Sequence, residues 1–148
     1  QLALDLIRKS QGQIEVDIEK LHHLFDVNFF GYFYGCKIVL SQMKKQKSGV
    51  IININSTAGL DGKPEISAYS SSKFAIKGLT ESIRREVKDL DIKILGVFPG
   101  GMQTDIYKEK YPDDLKDYTE VDTVVEKVIS NLKSENPEID FIIKRPSK

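Results

Sequence analysis

The chain lacks an excess of charge of either sign, since 22 lysines and arginines balance 22 aspartates and glutamates over 148 residues. A neutral chain has no strong basic field, which argues against binding to nucleic acid or to a membrane surface. It also lacks any run of 18 apolar residues, so we predict no membrane span. The single cysteine, Cys36, excludes an internal disulfide. Together with the lack of a visible signal peptide, it favours a reducing, cytoplasmic location.

Histidine is equally scarce. The two histidines, His22 and His23, are adjacent, and no second group of metal-ligand residues accompanies them. We therefore predict that both are solvated and that the chain binds no metal. The remaining composition, 40% hydrophobic and 30% charged, is typical of a globular protein that is long enough for one core. We accordingly interpret residues 1–148 as a single domain.

Hydrophobic periodicity divides the chain into alternating helices and strands. Apolar residues at helical spacing predict helices over 18–46, 67–90 and 121–132, and short apolar runs predict strands over 50–55, 91–98 and 139–144. Residues 1–8 form either a helix end or a strand in this interpretation, residues 10–15 a loop, and residues 104–110 a short helix. The alternation predicts βαβ units, and hence an α/β fold with a parallel sheet covered on both faces.

Several details of these elements are open to test. In the first helix the stripe predicted to face the core consists of Ile18, Leu21, Phe25, Tyr32, Val39 and Met43. Asn28 lies on this stripe, where a buried amide needs hydrogen-bond partners. Residues 24–40 are apolar nearly all round, so we expect cover from the sheet and from a second subunit. The 50–55 run is typical of a strand buried on both faces, and Thr119 to Asp122 resembles a capping box.

Candidate chemistry begins with Tyr69 and Lys73, which are four residues apart and therefore share one face of the second predicted helix. A positive charge beside a phenol favours the phenolate, so we expect the pKa of Tyr69 to be lowered. Such a tyrosine can exchange a proton with a carbonyl or alcohol oxygen. Taken alone, this spacing more often marks an ordinary surface pair. Ser56 and Pro99, however, end neighbouring predicted strands, and parallel strands bind ligands at that edge.

Four motifs resemble those of the classical short-chain dehydrogenase/reductase family. They occur along the chain at Asn28, residues 53–59, residues 69–73 and residues 99–104. Residues 53–59, NINSTAG, are similar to the family's N-I-S-S-x-A-G, with Asn55 where serine is common. Tyr69 opens the Y-x-x-x-K motif thirteen residues after Ser56, at the family's spacing. Asn28 matches the family's helix asparagine, and residues 99–104, PGGMQT, match P-G-x-x-x-T. The resemblance covers roughly residues 16–148.

The resemblance implies a doubly wound, Rossmann-like sheet and an NAD- or NADP-dependent oxidoreductase acting on a small-molecule carbonyl or alcohol. In the roles it implies, Tyr69 is the general acid/base and Lys73 lowers its pKa and holds the nicotinamide ribose. Ser56 orients the carbonyl, and Asn28 holds a water that links Lys73 to solvent. The nicotinamide would be lined by Pro99, Gly100, Met102 and Thr104. Two helices of the family pair across a two-fold axis, so we expect a homodimer or a tetramer.

The sequence also departs from the family pattern. The glycine loop T-G-x-x-x-G-x-G and the N-N-A-G segment are absent, so we expect that the amino-terminal half of the fold is missing from this sequence. A non-catalytic relative that only binds a partner therefore stays open, as does an epimerase or dehydratase of the extended family, which shares Y-x-x-x-K. The short tail after Thr104 and the P-G-x-x-x-T motif favour the reductase. Residues 105–118, which should cover the substrate, contain no diagnostic group.

Overall fold

The computed structural model describes residues 16–104 and 113–146. The predictions for residues 1–8 and 10–15, and for residues 104–110 apart from Thr104, lie outside these ranges. In chain order the elements are α1 (Ile18–Phe25), a π-helical turn (Asp26–Phe30), α2 (Gly31–Gln46), β1 (Ser48–Ile54), a 3-10 turn (Thr57–Gly59), α3 (Ser67–Glu86), β2 (Asp91–Pro99), β3 (Met102–Gln103), a 3-10 turn (Leu115–Asp117), β4 (Thr119–Glu120), α4 (Val121–Lys133) and β5 (Asp140–Ile143).

The main sheet is parallel and has the strand order β1-β2-β5. Ile54 is in register with Val97, and Val97 is in register with Phe141, so the carboxyl ends of the three strands meet at one edge. Strands β3 and β4 form a second, two-stranded parallel sheet just beyond that edge. The predicted α/β fold with a parallel, Rossmann-like sheet is thereby confirmed.

Helices cover both faces of the main sheet. Helices α2 and α3 lie on one face and α4 on the other. Alternate residues of β2 point to opposite faces, so Ile92 and Ile94 pack with α2 and α3 while Val97 packs with α4. The core on the first face consists of Cys36, Leu40, Ile51, Ile83, Val87, Ile92 and Ile94. The core on the second face consists of Val97, Val124 and Ile143, with Ile52, Met102, Val128 and Phe141 partly buried against it. β2 is the central strand, and it is buried from Ile94 to Pro99.

The predicted stripe of the first helix was wrong for Ile18 and Val39, which are 64% and 38% exposed. The buried residues are instead Leu24, Cys36 and Leu40. For Val39, which follows the π turn, the cause is that turn, whose i→i+5 hydrogen bonds accommodate one residue more than an α turn; Ile18 is the first residue of α1 and precedes it. The extra residue rotates the core-facing stripe of α2 relative to α1, and a period of 3.6 residues does not anticipate this.

Two other local predictions were wrong. Strand β1 is buried on one face only, because α4 packs on the β2–β5 side of the sheet; Val50 and Ile54 are 48% and 40% exposed. Thr119 does not cap α4, because it is buried and paired with Met102 in the small sheet. The N-cap residue is Glu120, whose side chain makes no capping hydrogen bond.

Candidate active site

Ser56 lies one residue beyond the point where β1 leaves the sheet. The Asn55 N–H still donates to the Val97 carbonyl at 2.7 Å, so the chain follows β2 for one residue past Ile54. Ser56 is extended, and its hydroxyl accepts the Ala58 N–H at 3.2 Å, which caps the 3-10 turn. The turn holds the Ser56 side chain at the carboxyl edge of the sheet.

Tyr69 and Lys73 lie in the first two turns of α3, facing this edge. The Ser56 side chain lies close enough to the Tyr69 phenol to lower its pKa, against the larger effect of burial. The Lys73 ammonium lies 5.5 Å from the centre of the Tyr69 ring, and Lys73 is 9% exposed. A cation at this distance is attracted by the ring. The structure therefore brings together the serine, tyrosine and lysine that the sequence singled out.

The electrostatics of the pair differ from the sequence-based expectation. Burial raises the pKa of the Tyr69 phenol, and the Ser56 side chain acts in the opposite direction. Burial also lowers the pKa of Lys73 to about 8. The two shifts have one cause, since an apolar surrounding disfavours a charged phenolate and a charged ammonium alike. Removal from water, rather than the lysine charge, dominates the pKa of Tyr69.

Asn28 reaches the same part of α3 from the π turn. Its side-chain N–H donates to the Ser72 hydroxyl at 3.1 Å, and that hydroxyl donates to the Tyr69 carbonyl at 2.7 Å. The amide thus has the partner that its place in the sequence requires. π turns occur frequently at functional sites, and this one directs Asn28 at the turn of α3 that carries Tyr69 and Lys73.

Two residues at the site escaped the sequence interpretation. Tyr32 was assigned only to the apolar stripe, but its hydroxyl donates to the Ile54 carbonyl at the end of β1. The neighbouring Tyr69 contributes, after burial, to the raised pKa of Tyr32. A signal was present, because Tyr32 follows Asn28 by one turn. Asn55 was noted only as a substitution, but its side-chain N–H donates to the Lys73 carbonyl at 3.0 Å.

The residues predicted to line the nicotinamide follow the carboxyl end of β2. Pro99 is the last residue of the strand, and the Gly100 N–H donates to the Ile143 carbonyl at 2.9 Å. Met102 begins β3 and packs against the apolar cluster on the α4 face. Thr104 is half-buried. They lie at the same sheet edge as Ser56, and their place in a binding site stays a prediction.

Within residues 16–104 and 113–146, no helix is both long and apolar enough to cross a membrane. The same residues include no group of three or more histidine, cysteine, aspartate or glutamate side chains that could hold a metal ion. Cys36 is buried beside Asn53, where its sulfur lies 3.8 Å from the amide oxygen.

A parallel α/β sheet with serine, tyrosine and buried lysine side chains at its carboxyl edge defines a Rossmann-like protein that can transfer a proton to or from a bound oxygen. The short chain dehydrogenase family model matches residues 6–114. The chain therefore belongs to this family of oxidoreductases.

Its relatives include an uncharacterised oxidoreductase of Schizosaccharomyces pombe, 43% identical over 97 residues, covering 64% of this chain and 33% of that protein. Another is the 3-ketodihydrosphingosine reductase of Bacteroides thetaiotaomicron, 42% identical over 86 residues, covering 58% of this chain and 32% of that one. Among solved structures, a 4-hydroxyisoleucine dehydrogenase mutant complexed with NADH and succinate superposes with a TM-score of 0.76 at 25% identity, covering 89% of this chain and 60% of the other. The chain thus spans about a third of the length of these two curated relatives.

Proposed function

We propose that this chain is the catalytic portion of an oxidoreductase that interconverts a small-molecule carbonyl and an alcohol with NAD or NADP. Residues 1–148 belong to one domain in this proposal. Its strongest support is the geometry around Tyr69: the Lys73 ammonium lies 5.5 Å from its ring centre, and the Ser56 side chain is near enough to lower the pKa of its phenol. Few arrangements other than a general acid/base site justify burying a lysine against a tyrosine at a sheet edge.

In the direction of reduction, Ser56 holds the substrate oxygen beside Tyr69 through its hydroxyl. The phenol of Tyr69 is protonated at neutral pH, because burial raises its pKa, and it gives that proton to the oxygen as the alcohol forms. A nicotinamide held beside Tyr69 and Lys73 would supply the hydride for the carbonyl carbon. Lys73 stabilises the phenolate that remains, and Asn28 would hold a water through which the proton is replaced from solvent.

The residues present fit the nicotinamide end of such a cofactor. Lys73 and Tyr69 offer a charged and a neutral hydrogen-bond donor side by side, which suits a ribose diol. Pro99, Gly100, Met102 and Thr104 would enclose the nicotinamide. The pyrophosphate end has no glycine-rich loop among the 148 residues, and no residue in the chain marks a choice between NAD and NADP.

The test is Tyr69→Phe in the full-length gene product. We expect kcat to fall by several orders of magnitude, since the acid/base is removed, while the dissociation constant of the cofactor changes little. In the wild type, alcohol oxidation should increase into alkaline pH, because oxidation requires the phenolate of Tyr69 and burial raises its pKa. An unchanged kcat in Tyr69→Phe would refute the proposal.

The non-catalytic alternative is tested by cofactor binding and turnover, because the 148 residues contain no T-G-x-x-x-G-x-G loop. If the chain alone must bind the cofactor, it lacks the backbone amides that hold a pyrophosphate. We expect calorimetric titration of the 148-residue chain with NADH and NADPH to show no micromolar binding. Micromolar binding would contradict this prediction. Turnover by the full-length gene product would exclude the non-catalytic candidate.

A further inference from the structure

Two asparagines, Asn53 in β1 and Asn55 one residue beyond its end, make matching contacts with α3. The side-chain N–H of Asn53 donates to the Thr80 hydroxyl at 2.9 Å, and that of Asn55 donates to the Lys73 carbonyl at 3.0 Å. Residues 53 and 55 lie on the same face of this extended segment. Lys73 and Thr80 are seven residues apart, about two helical turns. The two contacts therefore connect the same extended segment to α3 at two places. We call the one between Asn55 and Lys73 the upper contact and the one between Asn53 and Thr80 the lower contact.

Only the upper contact joins residues of the candidate site. Asn55 immediately precedes Ser56, and Lys73 carries the ammonium beside Tyr69. The Asn55 backbone is itself fixed to the sheet by its hydrogen bond to the Val97 carbonyl. The lower contact, from Asn53, lies two turns further along α3 and touches none of these groups.

The upper contact is tightly packed and incompletely satisfied. A Cβ atom on Gly59 would lie 2.8 Å from the Lys73 carbonyl oxygen and 3.1 Å from the Asn55 amide nitrogen, so the 3-10 turn leaves no free space there. Asn55 is 6% exposed, and its side-chain oxygen has no hydrogen-bond partner among the described residues. An unpaired buried acceptor is unfavourable, because it has lost its hydrogen bonds to water without gaining others. Asn55 thus donates a hydrogen bond to the Lys73 carbonyl but also buries an unpaired oxygen, which a small apolar residue would not do.

We propose that Asn55 is a positioning residue for the reaction, and this rests on the proposed function above. Its side-chain N–H fixes the first turns of α3 against the end of β1 and so sets the distance between Ser56 and the Tyr69–Lys73 pair. Asn28 holds the adjacent residue, Ser72, from another side. Without Asn55, the start of α3 moves away from β1 and water reaches the Lys73 ammonium.

The experiment compares Asn55→Ala with Asn53→Ala, which removes a similarly buried amide donor two residues earlier in the same extended segment. The first readout needs no activity: the pKa of Lys73, measured by NMR of isotope-labelled lysine side chains and assigned with Lys73→Met. We expect Asn55→Ala to raise this pKa from about 8 by one unit or more, because the ammonium becomes hydrated. Asn53→Ala should leave it near 8, although both variants lower the melting temperature.

The second readout is kinetic and uses the full-length gene product. We expect kcat to fall roughly ten- to a hundredfold in Asn55→Ala, as for misplaced catalytic groups, with little change in KM. Asn53→Ala should retain wild-type kcat. Gly59→Ala perturbs the same contact from the opposite side and should reproduce both effects. If Asn55→Ala does not fold, Gly59→Ala, which keeps Asn55 but crowds its contact with the Lys73 carbonyl, is compared with Asn53→Ala instead.

The outcomes separate this proposal from the proposed function. If the wild type turns over but the Asn55 and Asn53 variants have the same Lys73 pKa and the same kcat, Asn55 is purely structural and the positioning role is overturned. If the wild type shows no oxidoreductase activity, the proposed function fails. The lysine pKa still decides whether Asn55 sets the position of Lys73.

Discussion

Lys73 is buried to 9% exposure, and this has an energetic consequence that sequence spacing does not reveal. Its pKa is lowered to about 8 in the folded protein, below the ordinary value of 10.5. Below pH 8 the ammonium is charged in both states, and the full cost of burying it opposes folding. Between about pH 8 and 10.5 the unfolded state binds more protons, so the free energy of unfolding rises with pH.

We therefore expect Lys73→Met to stabilise the protein at pH 7 by roughly 1–3 kcal/mol, because each pKa unit corresponds to about 1.4 kcal/mol. The gain should shrink as pH rises towards 10.5, while oxidoreductase activity is lost. Urea unfolding at pH 7, 9 and 10.5 measures it. Lys77→Met is the matched control. This half-buried neighbour pairs with Glu81, and its removal should change the free energy of unfolding by only a few tenths of a kcal/mol. A lower free energy of unfolding in Lys73→Met than in the wild type at pH 7 would show that burial of the Lys73 ammonium does not oppose folding.

At the residue scale, the sequence identified which side chains meet but not how they are held. Spacing suffices to place Tyr69 and Lys73 on one helix face and Ser56 at a strand end. Three other features depend on tertiary packing. They are the hydrogen bond from Asn28 to the Ser72 hydroxyl, the hydrogen bond from Asn55 to the Lys73 carbonyl, and the raised pKa of Tyr69. Such contacts form between elements remote in sequence, and periodicity carries no information about them.

At the scale of elements, the helices and strands were predictable because their apolar residues recur at regular spacing. The π turn at Asp26–Phe30 was not predictable. A turn that holds one more residue is made of the same kinds of residue as the helix around it, so composition does not reveal it. It changes which side of α2 faces the sheet, and hence which residues are buried. The exposed face of β1 likewise depends on where α4 packs, which a strand's own sequence does not specify.

Helix α3 is also anchored at the end remote from the site. Arg84 donates two hydrogen bonds to Asp140, at 2.7 and 3.2 Å, and others to the carbonyls of Ile94 at 3.0 Å and Ile139 at 2.9 Å. One guanidinium therefore joins α3 to β2 and to the start of β5. Gly96 is the register partner of Asp140, and a Cβ there would lie 3.0 Å from the carboxylate. The glycine leaves room for the ion pair.

We expect Arg84→Ala to lower the free energy of unfolding by about 1.5–3 kcal/mol, because two backbone carbonyls and a carboxylate lose their donor. Arg84→Lys should recover little, since an ammonium cannot reproduce the planar fork. Arg85→Ala, at the exposed neighbouring position, should stay within about 0.5 kcal/mol of wild type. Equilibrium denaturation of the three variants measures this, and equal effects of Arg84→Ala and Arg85→Ala would contradict it.

At the scale of the whole molecule, the structure leaves large apolar side chains on the surface of the first helical region. Val27, Phe30, Phe33, Tyr34 and Ile38 are 58%, 40%, 41%, 56% and 71% exposed. The rings of Phe30 and Tyr34 stack with their centres 6.0 Å apart, and those of Phe33 and Tyr34 meet edge to face at 6.1 Å. Contiguous apolar patches of this kind commonly mark an interaction surface, and the sequence predicted cover here from a second subunit.

We expect the protein to form a homodimer, or a tetramer built from it, through this aromatic face of α2. Ile38→Glu places a charge on the most exposed residue of this set, where its burial on association would be strongly unfavourable, so this variant should be monomeric at micromolar concentration. Val125→Glu on α4 is the control, because Val125 is 48% exposed but lies on the other side of the sheet. Light scattering coupled to size exclusion measures the mass of each. A monomeric wild type, or dissociation by Val125→Glu as complete as by Ile38→Glu, would exclude assembly through this face.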